Sequence, residues 1–182
     1  MCTDSLNQVR VSIPSGYNRG DYVMGFIFTP DGKRDYEVSY YQKQYQGWTK
    51  RFNRDGKHIA DIFFNNGNLA ETSRSYYPNG AVKEIITVSD DYSRKVLSRY
   101  TQNGDLEFSL SYKDGKKNQA FIVDSVKNTD IFIRYYEGKL DNIREVNAIN
   151  PSNFIDYDLG TGEYLVVKDN MPIKGGKICG YE

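Results

Sequence analysis

The side chains that most often perform catalysis are few in this sequence and stand apart from one another. His58 is the only histidine among 182 residues, and it follows a predicted turn, where we expect an exposed loop side chain. A catalytic triad or a metal centre would have to be built on this one imidazole. Asp90 and Asp91 fall in another predicted turn, and no phosphate-binding, dinucleotide-binding or nucleophile-elbow motif is present. We therefore expect no enzyme, no cofactor and no metal site.

The two cysteines, Cys2 and Cys179, stand near opposite ends of the chain. Two reduced thiols are typical of a cytoplasmic protein, which is our first prediction for localisation. The alternative is an envelope-associated bacterial lipoprotein, because Cys2 directly follows Met1 and precedes a polar stretch, as a lipid-bearing cysteine would. No apolar run approaches eighteen residues, so we expect membrane contact only if Cys2 is lipidated.

Charge excludes one class of partner. Lys and Arg number 24 and Asp and Glu also number 24, and no run of like charge reaches five residues. The basic surface expected of a nucleic-acid-binding protein is therefore missing, and we predict no nucleic-acid partner. Three acidic residues of the C-terminal region, Asp156, Asp158 and Glu163, are interpreted as a solvated surface.

The elements that would position any site are repeated. Aromatic residues precede a glycine by four positions at a constant interval of 24 residues. The pairs are Phe28 with Gly32, Phe52 with Gly56, Tyr76 with Gly80, and Tyr100 with Gly104. Asp-Gly and Asn-Gly dipeptides accept the positive φ of tight hairpin turns, and the segments between them favour strands. The pattern predicts stacked β-hairpins that bury their apolar faces against their neighbours.

Alternation within these strands predicts which face is buried. Apolar residues recur at positions two apart, and positions two apart share a face of a strand. The predicted core positions are Val38, Ile62, Ile86 and Leu110, followed by Tyr40, Phe64, Val88 and Tyr112. The intervening positions are mostly polar. The sequence therefore predicts one core face and one solvated face.

The whole chain, 1–182, is predicted to be a single all-β domain. Its tandem 24-residue hairpins would form a long, twisted antiparallel meander over residues 28–140. Residues 1–27 would cap the N-terminal end. Residues 141–182 would cap the other end with a hairpin around Gly160-Thr161-Gly162, followed by a last irregular strand.

Three segments carry a family resemblance. Residues 63–69 and 76–84, and nearly as well residues 100–107, resemble the variant MORN repeat: two aromatics, a short polar turn ending in Asn-Gly, an apolar residue and a charged strand. The resemblance covers roughly residues 28–140. Proteins of this type include relatives of the bacterial YwqK-family antitoxins. The resemblance therefore implies a bacterial antitoxin or immunity-type protein that neutralises a toxin by binding it. The alternative, beside the envelope-associated lipoprotein, is a membrane-associated MORN-repeat protein.

A sheet with exposed aromatics and no catalytic constellation favours protein binding. The predicted protein-binding residues are Tyr41, Tyr45 and Trp48 as anchors, with Lys50 and Arg51 as steering charges. An alternative remains open, in which Trp48 fills the core of the first repeat. If this patch is not the interface, the C-terminal hairpin around Tyr157 and Tyr164 is the next candidate.

Overall fold

The computed structural model describes Cys2–Thr3, Arg10–Ser12 and residues 22–179. Every regular element in these residues is a β-strand, which confirms the all-β prediction. None of the described residues forms a helix of the length and apolar character that crossing a membrane would require. The cap predicted for residues 1–27 lies largely outside the described residues.

The chain divides into two compact units. The first contains Met1–Tyr92 with Gln102–Gly104, and the second contains Ser93–Thr101 with Asp105–Glu182. Two compact units need not fold independently of each other. The single domain predicted from the sequence therefore stays a prediction. We describe each unit by itself.

The strands of the first unit are short, antiparallel and joined mostly by tight turns. They are β1 (Cys2–Thr3), β2 (Arg10–Ser12), β3 (Val23–Phe28), β4 (Arg34–Tyr41), β5 (Gln44–Tyr45), β6 (Gly47–Phe52), β7 (His58–Asn65), β8 (Asn68–Leu69), β9 (Thr72–Tyr76) and β10 (Val82–Val88). The longer strands pair in the order β3, β4, β6, β7, β9, β10. The first unit is thus a meander of hairpins.

The strands of the second unit continue the same pattern. They are β11 (Arg94–Tyr100), β12 (Leu106–Lys113), β13 (Lys116–Asp124), β14 (Thr129–Tyr136), β15 (Lys139–Asn147), β16 (Phe154–Asp158), β17 (Glu163–Lys168) and β18 (Met171–Lys177). Each pairs antiparallel with the next. The hairpin predicted around Gly160-Thr161-Gly162 is β16 with β17, and β18 is the expected last strand.

The predicted glycine turns are confirmed. Gly32, Gly56, Gly80 and Gly104 have φ of 83°, 78°, 89° and 93°, a region that is unfavourable for residues with a β-carbon. The amides of Gly32, Gly56 and Gly80 each donate to the carbonyl three residues earlier, at 2.9 Å. The same turn therefore recurs at the positions that the sequence indicated.

The core of the first unit lies on the predicted face. Residues opposite each other in an antiparallel pair share a face, so the register places the buried side chains together. Among them are Ile27, Val38, Thr49, Ala60, Ser73 and Val88. Val38 is the most enclosed, at 1% exposure. Ile62, Phe64 and Ile86 share this face but are only half-buried.

The core face of the second unit is a row of aliphatic side chains across five strands. The register aligns Leu97, Leu110, Ala120, Ile133 and Ile143. Ala120 is buried, and the other four are half-buried. The predicted orientation of Leu110 is confirmed. The residues that alternate with this row along each strand form the outward face.

Candidate partner-binding faces

Five apolar or aromatic side chains cluster on the outward face of the first unit. We call them the aromatic patch: Tyr22, Met24, Tyr41, Trp48 and Phe63. Tyr22 is 68% exposed, Met24 54% and Trp48 47%. The rings of Tyr22 and Tyr41 stack at 4.8 Å, and Trp48 meets Phe63 edge to face at 5.1 Å. Each exposed ring is thus held by a second ring beneath or beside it.

The register explains why these residues come together. Met24 pairs with Ser39 across β3 and β4, and Trp48 pairs with Phe63 across β6 and β7. The Ser39 hydroxyl donates to the Trp48 carbonyl at 3.2 Å, which joins the two pairs into one row. A row across neighbouring strands brings side chains within contact of one another.

Charged side chains border the aromatic patch in the next row of the same face. Lys50 lies 3.8 Å from Glu37, and Arg34 approaches the same carboxylate at 3.7 Å. The Arg34 guanidinium also lies 4.5 Å from the centre of the Phe26 ring. Such half-exposed pairs contribute little stability, but they give the aromatic patch a polar rim.

The predicted anchors do not form one surface. Tyr41, Trp48 and Lys50 lie on the outward face, whereas Tyr45 and Arg51 lie on the core face. Tyr45 stacks on Tyr40 at 4.7 Å, on the core side. Arg51 lies 3.7 Å from Asp35 and 5.4 Å from the ring of Tyr36. Adjacent residues of a strand point to opposite sides, so Lys50 and Arg51 could not share a face.

The alternative in which Trp48 fills the core is wrong. Its side chain is 47% exposed and lies on the face opposite the buried Thr49. Three members of the aromatic patch were missed. Tyr22 and Met24 lay in the segment interpreted as a cap, while Phe63 was visible as an aromatic residue in a series of mostly polar positions.

His58 is not the exposed loop residue that the sequence suggested. It begins β7 and is half-buried, with its ring between those of Phe52 and Tyr76 at 5.8 and 5.5 Å. Its Nε2 lies 2.9 Å from Asp61 Oδ1 and 3.0 Å from the Ala60 carbonyl. Both of these neighbours are acceptors, so Nε2 carries the proton.

The Asp61 carboxylate also accepts a hydrogen bond of 2.7 Å from the Tyr76 hydroxyl. Burial, and then the Asp61 carboxylate, raise the pKa of Tyr76, so its hydroxyl stays a donor at neutral pH. With a donor on each of its two oxygens, Asp61 is held in place. This arrangement joins β7 to β9 through side chains.

An open groove of about 730 Å³ crosses the outward face of the second unit. We call it the charged groove, lined by Arg134, Arg144, Asp156, Asp158, Glu163 and Lys177. The register sets these residues side by side on β14 to β18. The acidic residues noted in the sequence are therefore one side of a site that also contains two arginines.

Hydrogen-bonded ion pairs fix several of these side chains. Arg144 donates to Asp156, while Lys177 lies 2.9 Å from Glu163. Asn142 donates to the second oxygen of Asp156 at 3.0 Å. Burial by itself would raise the pKa of Asp156, but the hydrogen bonds from Arg144 and Asn142 outweigh it and lower that pKa.

Tyr157 and Tyr164, the second predicted candidates, are paired directly across β16 and β17. By alternation they lie on the side of the strands opposite Asp156. Both are half-buried, and burial raises the pKa of Tyr157, with a further contribution from Glu145. Tyr164 packs against Gly176, where an added β-carbon would lie 3.2 Å from the ring. Tyr157 serves packing in this structure, whereas Tyr164 also lines the charged groove.

Cys179 is a free, exposed thiol, and the side chain of Cys2 lies outside those described. Within the described part of the chain, no three His, Cys, Asp or Glu side chains come close enough to hold a metal ion.

No protein-family model matches the sequence, and no curated protein sequence matches it. The resemblance to the variant MORN repeat therefore stays a prediction from the residues that carry it.

Proposed function

We propose that the protein is a non-catalytic binding module that recognises a protein partner through the aromatic patch. The observation that carries this proposal is the exposure of Tyr22, Met24 and Trp48 side by side on one outward face. Single exposed apolar residues are ordinary, whereas a contiguous group rimmed by polar residues marks an interaction surface. Tyr, Trp and Met are also enriched in protein interfaces.

The geometry of the patch suits tight binding. Trp48 is braced by Phe63 and Tyr22 by Tyr41, so these rings lose little conformational freedom when a partner covers them. The rim of Arg34, Glu37 and Lys50 would orient the partner and exclude poorly matched ones.

Neutralisation of a toxin by occlusion is the narrower form of this proposal. Its support is the resemblance of residues 63–69, 76–84 and 100–107 to the variant MORN repeat and, through it, to bacterial antitoxins. A broad, rigid surface is suited to covering an active site, since occlusion requires contact but no chemistry.

The test uses the products of the genes adjacent to this one in its native genome. Each is co-produced with the chain, complexes are sought by size-exclusion chromatography, and affinities are measured by calorimetry. We expect Trp48→Ala to weaken binding by tenfold or more, roughly the effect of truncating a hot-spot residue. The matched control is Tyr136→Ala, an exposed tyrosine of the second unit, which should bind as the parent does.

Two outcomes would contradict parts of the proposal. If a folded Trp48→Ala protein binds with parental affinity, the aromatic patch is not the interface. If a neighbouring product binds but its expression does not impair growth, the antitoxin form fails and the binding module stands.

A further inference from the structure

We propose that the charged groove and the hollow beside it form a binding site for a neutral oligosaccharide. This site is separate from the aromatic patch and goes beyond the proposed recognition of a protein partner. Three features of the second unit support it. The cations of the groove are already paired, an aromatic ring is exposed next to them, and neutral hydroxyl and amide groups line the hollow beside that ring.

The cations of the charged groove are neutralised by ion pairs within the sheet. Each lies against a carboxylate: Arg134 with Asp141 at 2.6 Å, Arg144 with Asp156, and Lys177 with Glu163 at 2.9 Å. A ligand that carries a charge of either sign would have to displace a partner that is already in place. A neutral ligand meets no such competition.

The paired side chains keep hydrogen-bonding capacity of both kinds. Arg134 uses Nε on Asp141, so its other N–H donors remain, and its side chain is 61% exposed. Asp158 Oδ1 accepts from the amides of Gly160 and Thr161 at 2.9 and 3.0 Å, whereas no described residue donates to Oδ2. A sugar hydroxyl both donates and accepts hydrogen bonds, so it can use the two kinds of group together.

An aromatic ring is exposed on the strand next to Arg144. Phe132 pairs with Arg144 across β14 and β15, and its side chain is 46% exposed. Phe121 lies beside it, with the two ring centres 4.8 Å apart. The face of an aromatic ring carries partial negative charge, and it attracts the C–H groups on the face of a sugar ring. Phe132 therefore offers a stacking surface for a sugar.

The hollow beside these two rings has a volume of about 350 Å³, and most of its polar groups are neutral. Ser109 and Ser111 contribute hydroxyl groups, while Gln119 and Asn142 contribute amides. Such groups satisfy the hydroxyls of an uncharged ligand without the cost of desolvating a charge. The combination of an exposed ring with neutral donors and acceptors is complementary to a sugar.

The hollow and the charged groove adjoin, because Arg134 and Asn142 line both. Together they reach from β12 to β18. Neighbouring strands lie about 4.8 Å apart, so the combined depression is on the order of 29 Å long. A single sugar ring would fill only part of that length, so we expect a chain of several sugars.

The test uses three neutral hexasaccharides, which are cellohexaose, chitohexaose and maltohexaose, with hexagalacturonate as a charged counterpart. Binding to the full chain is measured by isothermal titration calorimetry at low and high salt. We expect at least one neutral hexasaccharide to bind, with an affinity that changes less than about twofold between the two salt concentrations, because a neutral ligand forms no ion pairs that salt could screen. Hexagalacturonate should bind no more tightly.

Substitutions of Phe132 separate ring stacking from simple apolar contact. Phe132→Ala and Phe132→Leu should each weaken binding of the neutral sugar about fivefold, whereas Phe132→Tyr should retain the parental affinity because it keeps the ring. Arg134→Met, which removes the donors but keeps a long side chain, should also weaken binding about fivefold. Circular dichroism checks that each variant is folded.

The matched control is Trp48→Ala, which removes an exposed ring from the aromatic patch and should bind the sugar as the parent does. This control separates failure of the sugar site from failure of the proposed protein interface. Four results would overturn the proposal. They are no binding of any neutral hexasaccharide by the folded parent, tighter and salt-sensitive binding of hexagalacturonate, parental affinity in Phe132→Ala, Phe132→Leu or Arg134→Met, and loss of sugar binding in Trp48→Ala.

Discussion

The two units use the same hairpins but present different chemistry on their outward faces. In the first unit the outward face is apolar at its centre, with Trp48 and Met24 exposed and charges at the border. In the second unit the charges are central and the exposed Phe132 lies at one end. One turn of each unit is closely alike, since φ is 48° and 78° at Asn66 and Gly67 and 50° and 76° at Asp114 and Gly115. Turn and core positions therefore define the hairpin, whereas outward positions differ between the units.

Equivalent positions within the first unit also differ in chemistry. Arg34 and His58 stand 24 residues apart and each begins a strand. Each approaches a carboxylate three residues further on, Glu37 at 3.7 Å and Asp61 at 2.9 Å. The next equivalent position is the apolar Val82. This position of the repeat therefore accepts a polar pair but does not require one.

The largest expected effect tests whether the two faces of the first unit differ in burial. Ile27 is 9% exposed on the core face, so Ile27→Ala should lower the free energy of unfolding by about 2 to 5 kcal/mol. Met24→Ala, on the outward face, should cost less than about 1 kcal/mol. Urea denaturation measures both. Similar losses would mean that the aromatic patch is covered, which would end its candidacy as a binding surface.

A smaller effect tests whether positive φ carries the same cost at two kinds of turn, one in each unit. Gly80 and Gly115 have positive φ, and an added β-carbon would meet nothing within 4 Å at either position. The cost of Gly80→Ala and of Gly115→Ala is therefore conformational, at about 1 kcal/mol each. Gly80→Asn should cost less, because Asn tolerates this region better. If only one alanine variant is destabilised in urea, positive φ does not by itself set the cost of the substitution.

The smallest effect concerns the charged groove and its dependence on pH. Because the folded pKa of Asp156 is lowered, its stabilising contribution is present above the unfolded pKa of about 3.9 and is lost as pH falls through the folded value. We expect Asp156→Asn to cost about 0.5 kcal/mol at neutral pH, since Arg144 is half-exposed, and nothing at pH well below 4. Chemical denaturation across pH measures the difference.

The Arg144→Gln protein is the control for this titration. It lacks the hydrogen-bond donor that does most to lower the pKa of Asp156, so its pH dependence should resemble that of Asp156→Asn. A difference between parent and Asp156→Asn that persists at low pH would show that shape and packing, rather than charge, hold this part of the groove.

The sequence was sufficient wherever local rules decide the structure. The turns at Gly32 and Gly80 can be predicted without the rest of the chain, because tolerance of positive φ is a property of glycine itself. Val38 and Leu110 could be placed on the core faces because the alternation of side chains along a strand is also a local rule. The C-terminal hairpin was also predictable, since two strand-like runs flank Gly160-Thr161-Gly162.

The outward sites depend on register, which the sequence does not state. Tyr45 was grouped with Trp48 because they are near neighbours in sequence, although residues three apart on an extended chain point to opposite faces. The acidic half of the charged groove was visible, but its pairing with Arg144 joins residues twelve apart across β15 and β16.

The last strand gives the charged groove a wall that can open. All seven residues of β18 are exposed, its described pairings are all with β17, and Gly175 and Gly176 offer no side chains to pack. Hydrogen exchange in β18 should therefore proceed by local opening, well before the strands around Ala120 are released. Each opening would carry Lys177 away from Glu163.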